Sequence, residues 1–403
     1  VGMREWWPRK RLGEVCQFRG GGTPSKAVEG YWQGNIPWVS PKDMKFDIVS
    51  DSIDHISYEA IDGSATSLIP KNSVLIVVRS GILARTIPIA ITGRELTINQ
   101  DLKALCPNRE IDARFLYHLL SAKTDELLSM VSRGATVHRL MTDQIRDLDF
   151  VLPPLPEQQR IVALLDEAFA GLATARANAE RNLQNARALF ESHLQSVFSQ
   201  RGEGWEENTM ELSELCELIV DCEHKTAPIQ DEGVPSIRTP NIGKGRLLLD
   251  GVNRVSEDTY KDWSRRAEPK PGDLILAREA PAGNVAVIPD GARVCLGQRT
   301  VLIRPKADIF DPFFLAYRLL EPTMQEKLLD HSRGATVQHV NMKDIRALDV
   351  GPIPPIRAQQ EISAAINAVS AEGEHLTRVY ERKLATLEEL KKTLLHQAFN
   401  GEL

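Results

Sequence analysis

The sequence predicts an α+β protein: two copies of a mixed α/β globular domain, separated by two long helices that pair as an antiparallel coiled coil, in a tandem repeat with pseudo-two-fold symmetry. Three observations predict it. Ser132-Arg133-Gly134-Ala135-Thr136-Val137 recurs unchanged as Ser332-Arg333-Gly334-Ala335-Thr336-Val337, and six consecutive identities at an offset of 200 are not chance. Short apolar runs bounded by Gly, Pro, Asn and Asp fill residues 1–152 and 201–353. Two proline-free stretches, Glu157 to Ser199 and Ala358 to Phe399, are rich in Ala, Leu, Glu, Gln and Arg.

The division is therefore 1–152, a first globular domain; 153–200, a first helical region; 201–353, a second globular domain; and 354–403, a second helical region. In the first domain, Ser73-Val74-Leu75-Ile76-Val77-Val78 reads as a strand, and Phe115-Leu116-Tyr117-His118-Leu119-Leu120 as a local helix. The second domain repeats them as Asp273-Leu274-Ile275-Leu276-Ala277 and Phe314 to Leu320. Leu12–Cys16 pairs with Leu212–Cys216, Ile36–Val39 with Val234–Ile237, Lys71–Arg79 with Lys270–Arg278, and Gln100 with Gln298. Prolines punctuate each copy, Pro153-Pro154-Leu155-Pro156 before Gln158-Gln159 and Pro354-Pro355-Ile356 before Gln359-Gln360.

In the first helical region Ile161, Leu165, Ala168, Leu172, Ala175, Ala179, Asn182, Ala186 and Leu189 follow steps of four and three. Ile362, Ile366, Val369, Gly373, Leu376, Tyr380, Lys383, Leu387, Leu390 and Leu394 do so in the second. That spacing is a coiled-coil seam. Asn182 and Lys383 interrupt it; either they fix register, or the seam slips and both face solvent.

Hydrophobic residues make up 42% and charged ones 26%, enough to bury ordinary cores, so global disorder is excluded. The formal charge of -6 excludes a uniformly basic nucleic-acid coat. Residues 1–150 hold 19 basic against 18 acidic side chains, and 201–350 hold 20 against 25. No run approaches the roughly 20 apolar residues of a membrane span, and the start lacks a signal-peptide apolar core, so a soluble, cytoplasmic protein is expected. Cys16, Cys106, Cys216, Cys222 and Cys295 are odd in number and scattered, which speaks against a disulfide framework. Cys216, Cys222 and His224 lack paired C-x-x-C spacing, so no metal is expected.

Phosphate loops, dinucleotide loops, zinc-protease and nucleophile-elbow motifs are all missing. Glu268-Pro269-Lys270 resembles the carboxylate and lysine of a nuclease site but falls in a segment common to both copies and reads as structural. No catalytic residue, cofactor or metal is assigned to this chain.

DNA binding has better support, because sequence readers need placed side chains more than net charge. The candidates are Arg19, Thr23, Ser25, Lys26, Arg79, Gln100, Arg133 and Thr136 in the first copy. In the second they are His224, Lys225, Thr226, Arg238, Thr239, Asn241, Lys244, Arg278, Gln298, Arg333 and Thr336. Most lie in turn-rich segments where glycine lets backbone approach a phosphate. Arg133 and Arg333 either hold phosphate at equivalent places or belong to a shared turn. Arg176, Arg181, Arg187, Arg378, Arg382, Lys391 and Lys392 on the helices are candidates for partner docking.

Several stretches together resemble the DNA-specificity subunits of type I restriction-modification enzymes. They are Gly21-Gly22-Thr23-Pro24-Ser25 with Tyr31-Trp32 and Ile36-Pro37-Trp38, then Asn99 to Leu105, the run Pro153 to Ile161, and the ending Gln397 to Leu403. Asp221 to Pro228 with Gly233-Val234-Pro235 resembles another subtype of that family's recognition domain. The resemblance covers the whole chain. It implies two target recognition domains that each read half of a split, asymmetric site in double-stranded DNA, and helical regions that dock two methyltransferase subunits and restriction/translocase subunits. S-adenosylmethionine, ATP and Mg would then belong to those partners and no membrane would be involved. Arg357-Ala358 precedes Gln359-Gln360 where the first copy has Glu157, a departure from the first copy's pattern. The rival readings are a coiled-coil protein-interaction scaffold and a stand-alone DNA-modifying enzyme.

Overall fold

The structure is a computed structural model that describes residues 7–134, 136–200, 204–207, 210–330 and 338–400. The chain divides into two compact units, one of residues 1–179 with 382–403, the other of residues 180–381. Each unit thus joins one globular domain to parts of both long helices.

The first unit is built on a five-stranded sheet in the order Cys16–Gly20, Leu102–Pro107, Val74–Val77, Ile89–Thr92, Ile48–Val49. All pairings are antiparallel except the last. Val74–Val77 is fully buried along its length, as expected for an unbroken apolar run covered on both faces. A second sheet, whose central pair Ile36–Val39 and Leu96–Ile98 is parallel, continues the fold. The helix Ala113–Ala122 starts at Asp112, whose carboxylate accepts from the N–H groups of Arg114 and Phe115. It packs Phe115, Leu116, Leu119 and Leu120 onto the sheet.

The second unit repeats this plan. Its sheet runs Cys216–Asp221, Thr300–Pro305, Leu274–Ala277, Val285–Val287, Gly245–Arg246, with the same senses of pairing. Val234–Ile237 pairs in parallel with Cys295–Leu296, and Asp311 caps the helix Pro312–Leu320.

One expected alignment is corrected. Asn72 and Gly272 share a positive φ, and their N–H groups donate to equivalent carbonyls, those of Thr92 and Ile288. The offset there is 200, so Lys71 matches Pro271 and Arg79 matches Glu279. The lysine identity had pulled the alignment one residue out of register. In a strand such a slip exchanges the two faces.

The long helices run Leu155–Ser199 and Ile356–Asn400. In the first unit Ile161, Leu165 and Phe169 share a core with Leu394, Leu395, Ala398 and Phe399, Lys391 lies over the Phe169 ring, and Arg176 pairs with Glu388. Rising numbers on one helix meet falling numbers on the other, so they are antiparallel. In the second unit Arg187 pairs with Glu381 at 2.8 Å, while Leu194 and Phe198 share a core with Ile366. Antiparallel pairing holds there too.

The seams slip as the second of the two readings foresees. Asn182 and Lys383 are exposed, and the half-buried positions are Leu183 and Leu384. Leu189 and Leu390 are exposed as well, with Phe190 turned inward, whereas Ile161, Leu165, Ala179, Ala186, Ile366, Gly373 and Leu394 face inward as the spacing predicts. A straight helix of 3.6 residues per turn drifts from a strict heptad, and the inward stripe moves by one residue.

Candidate nucleic-acid interface

In the first domain, the loop after Cys16–Gly20 is pressed onto the neighbouring sheet. A Cβ on Gly21 would lie 1.9 Å from the Ile98 carbonyl, so only glycine fits. The Gly22 N–H donates to that carbonyl, and Trp38 Nε1 donates to Gly22 O at 2.9 Å. The glycine run is thus a close-packing device that leads the chain out to an exposed Thr23, Ser25 and Lys26. Thr23 Oγ1 donates to Gln100 Oε1 at 2.5 Å, and Lys26 lies over the Trp32 ring. Arg19 is tied down by Leu68 O and Gln17 Oε1.

Arg79 forms an ion pair with Asp101, Nε to Oδ1 2.7 Å, and sits opposite Arg139 in a short strand pair. Gln100 precedes Asp101, so Thr23, Arg79 and Gln100 are brought together. Arg133 and Thr136 are exposed near this strand pair.

The second domain assembles a cluster in the matching place, from His224, Arg278, Glu279, Gln298, Arg299 and His339 around one polar cleft. Gln298 Nε2 donates to the His224 carbonyl, which matches the Gln100–Thr23 link. Arg278 pairs with Asp221 at 2.7 Å and donates from Nε to Val340 O and from Nη2 to His339 Nε2. Because a guanidinium has no acceptor, His339 Nε2 must be the acceptor there and Nδ1 carries the proton, which it donates to Glu279 Oε1 at 2.9 Å. Glu279 Oε2 in turn holds Arg299 Nη1 at 2.9 Å, and His224 Nε2 lies 3.3 Å from Asp221 Oδ2. The result is one chain of polar contacts with His224 and Arg299 at its exposed ends.

Several candidates are not offered at the surface of these clusters. Arg278 is only 13% exposed and organises the cluster from behind. Thr239 is buried at the start of a short 3-10 turn, so its side chain is not offered to a ligand. Asn241 accepts from the Arg238 N–H in that turn, leaving Arg238 exposed. Lys244 pairs with Glu191 of the first long helix. Lys225 and Thr226 are exposed in the loop beyond His224. Arg333 and Thr336 lie outside the described residues.

Among the docking candidates, Arg176 and Arg187 tie the helices to each other, Lys391 lies over Phe169, and Arg181, Arg378, Arg382 and Lys392 are exposed. Glu268 accepts from the Tyr260 hydroxyl and the Lys270 N–H donates to Asp273, so that segment is structural. Burial pushes the Cys216 thiol up to about 12 and raises Cys222, keeping both thiols protonated. No cluster of three metal-ligating side chains occurs among the described residues. No helix of the described residues is long and apolar enough to cross a membrane.

The residues that sequence reasoning missed are Asp101, Asp221, Glu279, Arg299 and His339. The available signal was adjacency: Asp101 and Arg299 each follow a glutamine already singled out, and Glu279 follows Arg278.

Residues 4–180 and 202–381 each match the family described as Type I restriction modification DNA specificity domain. The chain is 36% identical over 200 residues to the EcoR124I/EcoR124II specificity subunit of Escherichia coli, which covers 49% of each protein. The EcoDI specificity subunit of Escherichia coli is 22% identical, with 98% of this chain and 88% of that one covered. The chain spans about half the length or less of the first curated relatives it matches. Among solved structures, a chain of a type I R-M system superimposes with a TM-score of 0.73 at 20% identity, 98% of each chain being covered. The HsdS subunit from Thermoanaerobacter tengcongensis does so with a TM-score of 0.61 at 20% identity, over 98% of this chain and 97% of that one.

Proposed function

The chain belongs to the type I restriction modification DNA specificity domain family, and from that membership we propose that it is the sequence-reading subunit of a type I restriction-modification complex. Each globular domain reads one half of a split, asymmetric target in double-stranded DNA. The long helices dock two adenine methyltransferase subunits, and restriction/translocase subunits complete the assembly. S-adenosylmethionine, ATP and Mg are used by those partners; this chain is non-catalytic and works in the cytoplasm, where the DNA is.

The observation that carries this reading is that one backbone plan presents two different side-chain sets in the same place. Thr23, Gln100, Arg79 and Asp101 stand in the first domain where His224, Gln298, Glu279 and Arg299 stand in the second. Equal frames with unequal tips suit two unlike half-sites, since phosphate contacts position a reader while a few side chains specify bases. A catalytic pair repeated for chemistry would be expected to keep its residues.

The test maps methylated adenines in DNA modified by the complex of this chain with its methyltransferase subunits. A two-part asymmetric target is expected. Exchanging residues 1–150 for the equivalent domain of a relative should change one half only. Methylation without sequence preference, or a change in both halves, would sink the proposal.

A further inference from the structure

The two domains carry the same ion pair with its polarity reversed, and the reversal identifies a reading residue in each. The backbone fixes the equivalence: the Val78 N–H donates to Asp101 O at 2.8 Å, and the Arg278 N–H donates to Arg299 O at 2.8 Å. One residue further on, Arg79 faces Arg139 across a strand pair, as Glu279 faces His339 across an isolated bridge. Positions 79 and 279 are therefore equivalent, and so are 101 and 299. Arg79–Asp101 in one domain becomes Glu279–Arg299 in the other.

In both pairs the acid is the inner member and the arginine the outer one. Asp101 and Glu279 are each 21% exposed, against 42% for Arg79 and 60% for Arg299. The acids are also held from a second side. Asn99 Nδ2 donates to Asp101 Oδ2 at 3.1 Å, and His339 Nδ1 donates to Glu279 Oε1. Each carboxylate is a fixed post, and each guanidinium is the tip it aims.

We propose, building on the function given above, that Arg79 and Arg299 each read a guanine in their own half-site, with Asp101 and Glu279 as positioning residues. A guanidinium has five N–H donors in a planar fork, so engagement with one carboxylate leaves a pair free to meet O6 and N7 of guanine in the major groove. A phosphate contact fits less well, because an arginine beside a fixed carboxylate is a nearly neutral unit that gains little from the phosphate potential. Arg299 also holds a φ of +65°, a conformation unfavourable for a residue with a side chain, at the point where the fork leaves the sheet. Reversing the pair moves the fork from the end of one strand to the start of its neighbour, so the two domains address differently placed bases with one scaffold.

The test uses the full chain in complex with its methyltransferase subunits and a library of randomised targets. Arg299→Ala should lower the preference for guanine at one position of the second half-site by roughly tenfold to hundredfold. The first half-site should remain unaltered, which also reports that the complex is folded. Arg79→Ala should do the reverse, and lysine should not substitute at either place because it lacks the fork. Glu279→Gln should steepen the salt dependence of binding to all DNA, since it frees a cation, and should weaken the same single preference as Arg299→Ala while the other positions of the second half-site stay unaltered; loss of a merely structural glutamate would lower the preference across that whole half-site. A uniform loss across sequences with a salt slope reduced by about one would indicate phosphate contact and overturn the assignment. So would unchanged preference in the variants of a selective wild type. A wild-type complex with no sequence preference would overturn the proposed function and this assignment with it.

Discussion

His118 and Tyr317 occupy one position in the two units, six residues after the capping aspartates Asp112 and Asp311, and each reaches a long helix. His118 Nε2 lies 3.0 Å from Asp166 Oδ1, and the Tyr317 hydroxyl donates to Asn367 Oδ1. The contact is kept while both partners change. Burial pushes the His118 pKa down and Asp166 only partly offsets this, while its Nδ1 has no partner, so the ring is held neutral. Burial pushes Asp166 up, but Arg114 and His118 outweigh it and leave the carboxyl below its usual range. A histidine whose folded pKa lies below the unfolded value of about 6.5 stabilises fully above that value, and the contribution is lost as pH falls toward the folded one. The aspartate adds a loss in the same direction at lower pH, below about 3.9. Tyr317, pushed up to about 12 by burial, does not titrate in that range. The melting temperature should therefore fall between pH 7 and pH 5, and the double substitution His118→Tyr with Asp166→Asn should flatten that limb; an unchanged limb would locate the acid sensitivity elsewhere. None of this was legible in the sequence. The helical spacing around His118 was, but its partner lies 48 residues away. The same blindness to distance hid Asp101 behind Arg79, and hid both members of the Glu279–Arg299 pair.

At the scale of elements the sequence was more informative. The proline-free stretches foretold helices that the structure extends by two residues at their starts, to Leu155 and Ile356; in the first, Pro156 is tolerated in a helical turn whose N–H groups have no intrahelical partner. The seams were legible in period and, over most of their length, in phase; the exceptions Asn182, Leu189, Lys383 and Leu390 were not, since heptad spacing cannot show where a straight helix has drifted by a residue. The paired glutamines were visible as landmarks without a role, and the structure supplies one. Gln158 is fully buried; its Oε1 accepts from the Asp112 N–H at 2.8 Å, and its Nε2 donates to Glu110 O and Pro153 O. Gln359 makes the same three bonds with Asp311, Ile309 and Pro354. Each glutamine bolts the start of a long helix to the cap of the domain helix and uses amide groups at both ends. Gln158→Ala or Gln359→Ala would orphan one buried carbonyl, that of Pro153 or Pro354, at about 1–3 kcal/mol, and free two part-buried backbone groups that water can reach, so a loss of about 1–3 kcal/mol is expected in denaturant unfolding. Glu should fare little better, because a carboxylate cannot donate to the two carbonyls. A loss below about 1 kcal/mol would mean that the helix starts are held by packing alone.

At the scale of the whole molecule, each globular domain is completed by the far end of a helix that does not follow it in sequence. The Phe399 ring lies tilted against Phe115 with centroids 5.2 Å apart, with Leu395 and Ala398 in the first core. Phe198 meets Phe314 edge to face with ring centroids 5.5 Å apart, with Leu194 in the second core. The endings Leu194 to Phe198 and Leu395 to Phe399 are therefore interchangeable in kind: each presents a leucine, then a phenylalanine four residues on, to the same helix of its domain. A fragment of residues 1–200 keeps the first domain but loses the ending that completes it. It still carries the other ending on its own helix, with no second domain to receive it. Two copies can exchange these endings, each filling the gap in the other, and an antiparallel helix pair is compatible with the two-fold axis that such an exchange generates. The fragment should then be a dimer, and Phe198→Ala should weaken it although in the intact chain Phe198 belongs to the second core. Two identical domains related by a two-fold axis read inverted repeats. Supplied with methyltransferase subunits, the dimer should methylate an interrupted palindrome made of the first half-site and its inverse. Sedimentation and methylation mapping check the two steps separately. A well-folded monomer would contradict the exchange of endings, and a dimer that methylates an asymmetric sequence would contradict the equivalence of the two domains on which the pseudo-symmetric plan rests.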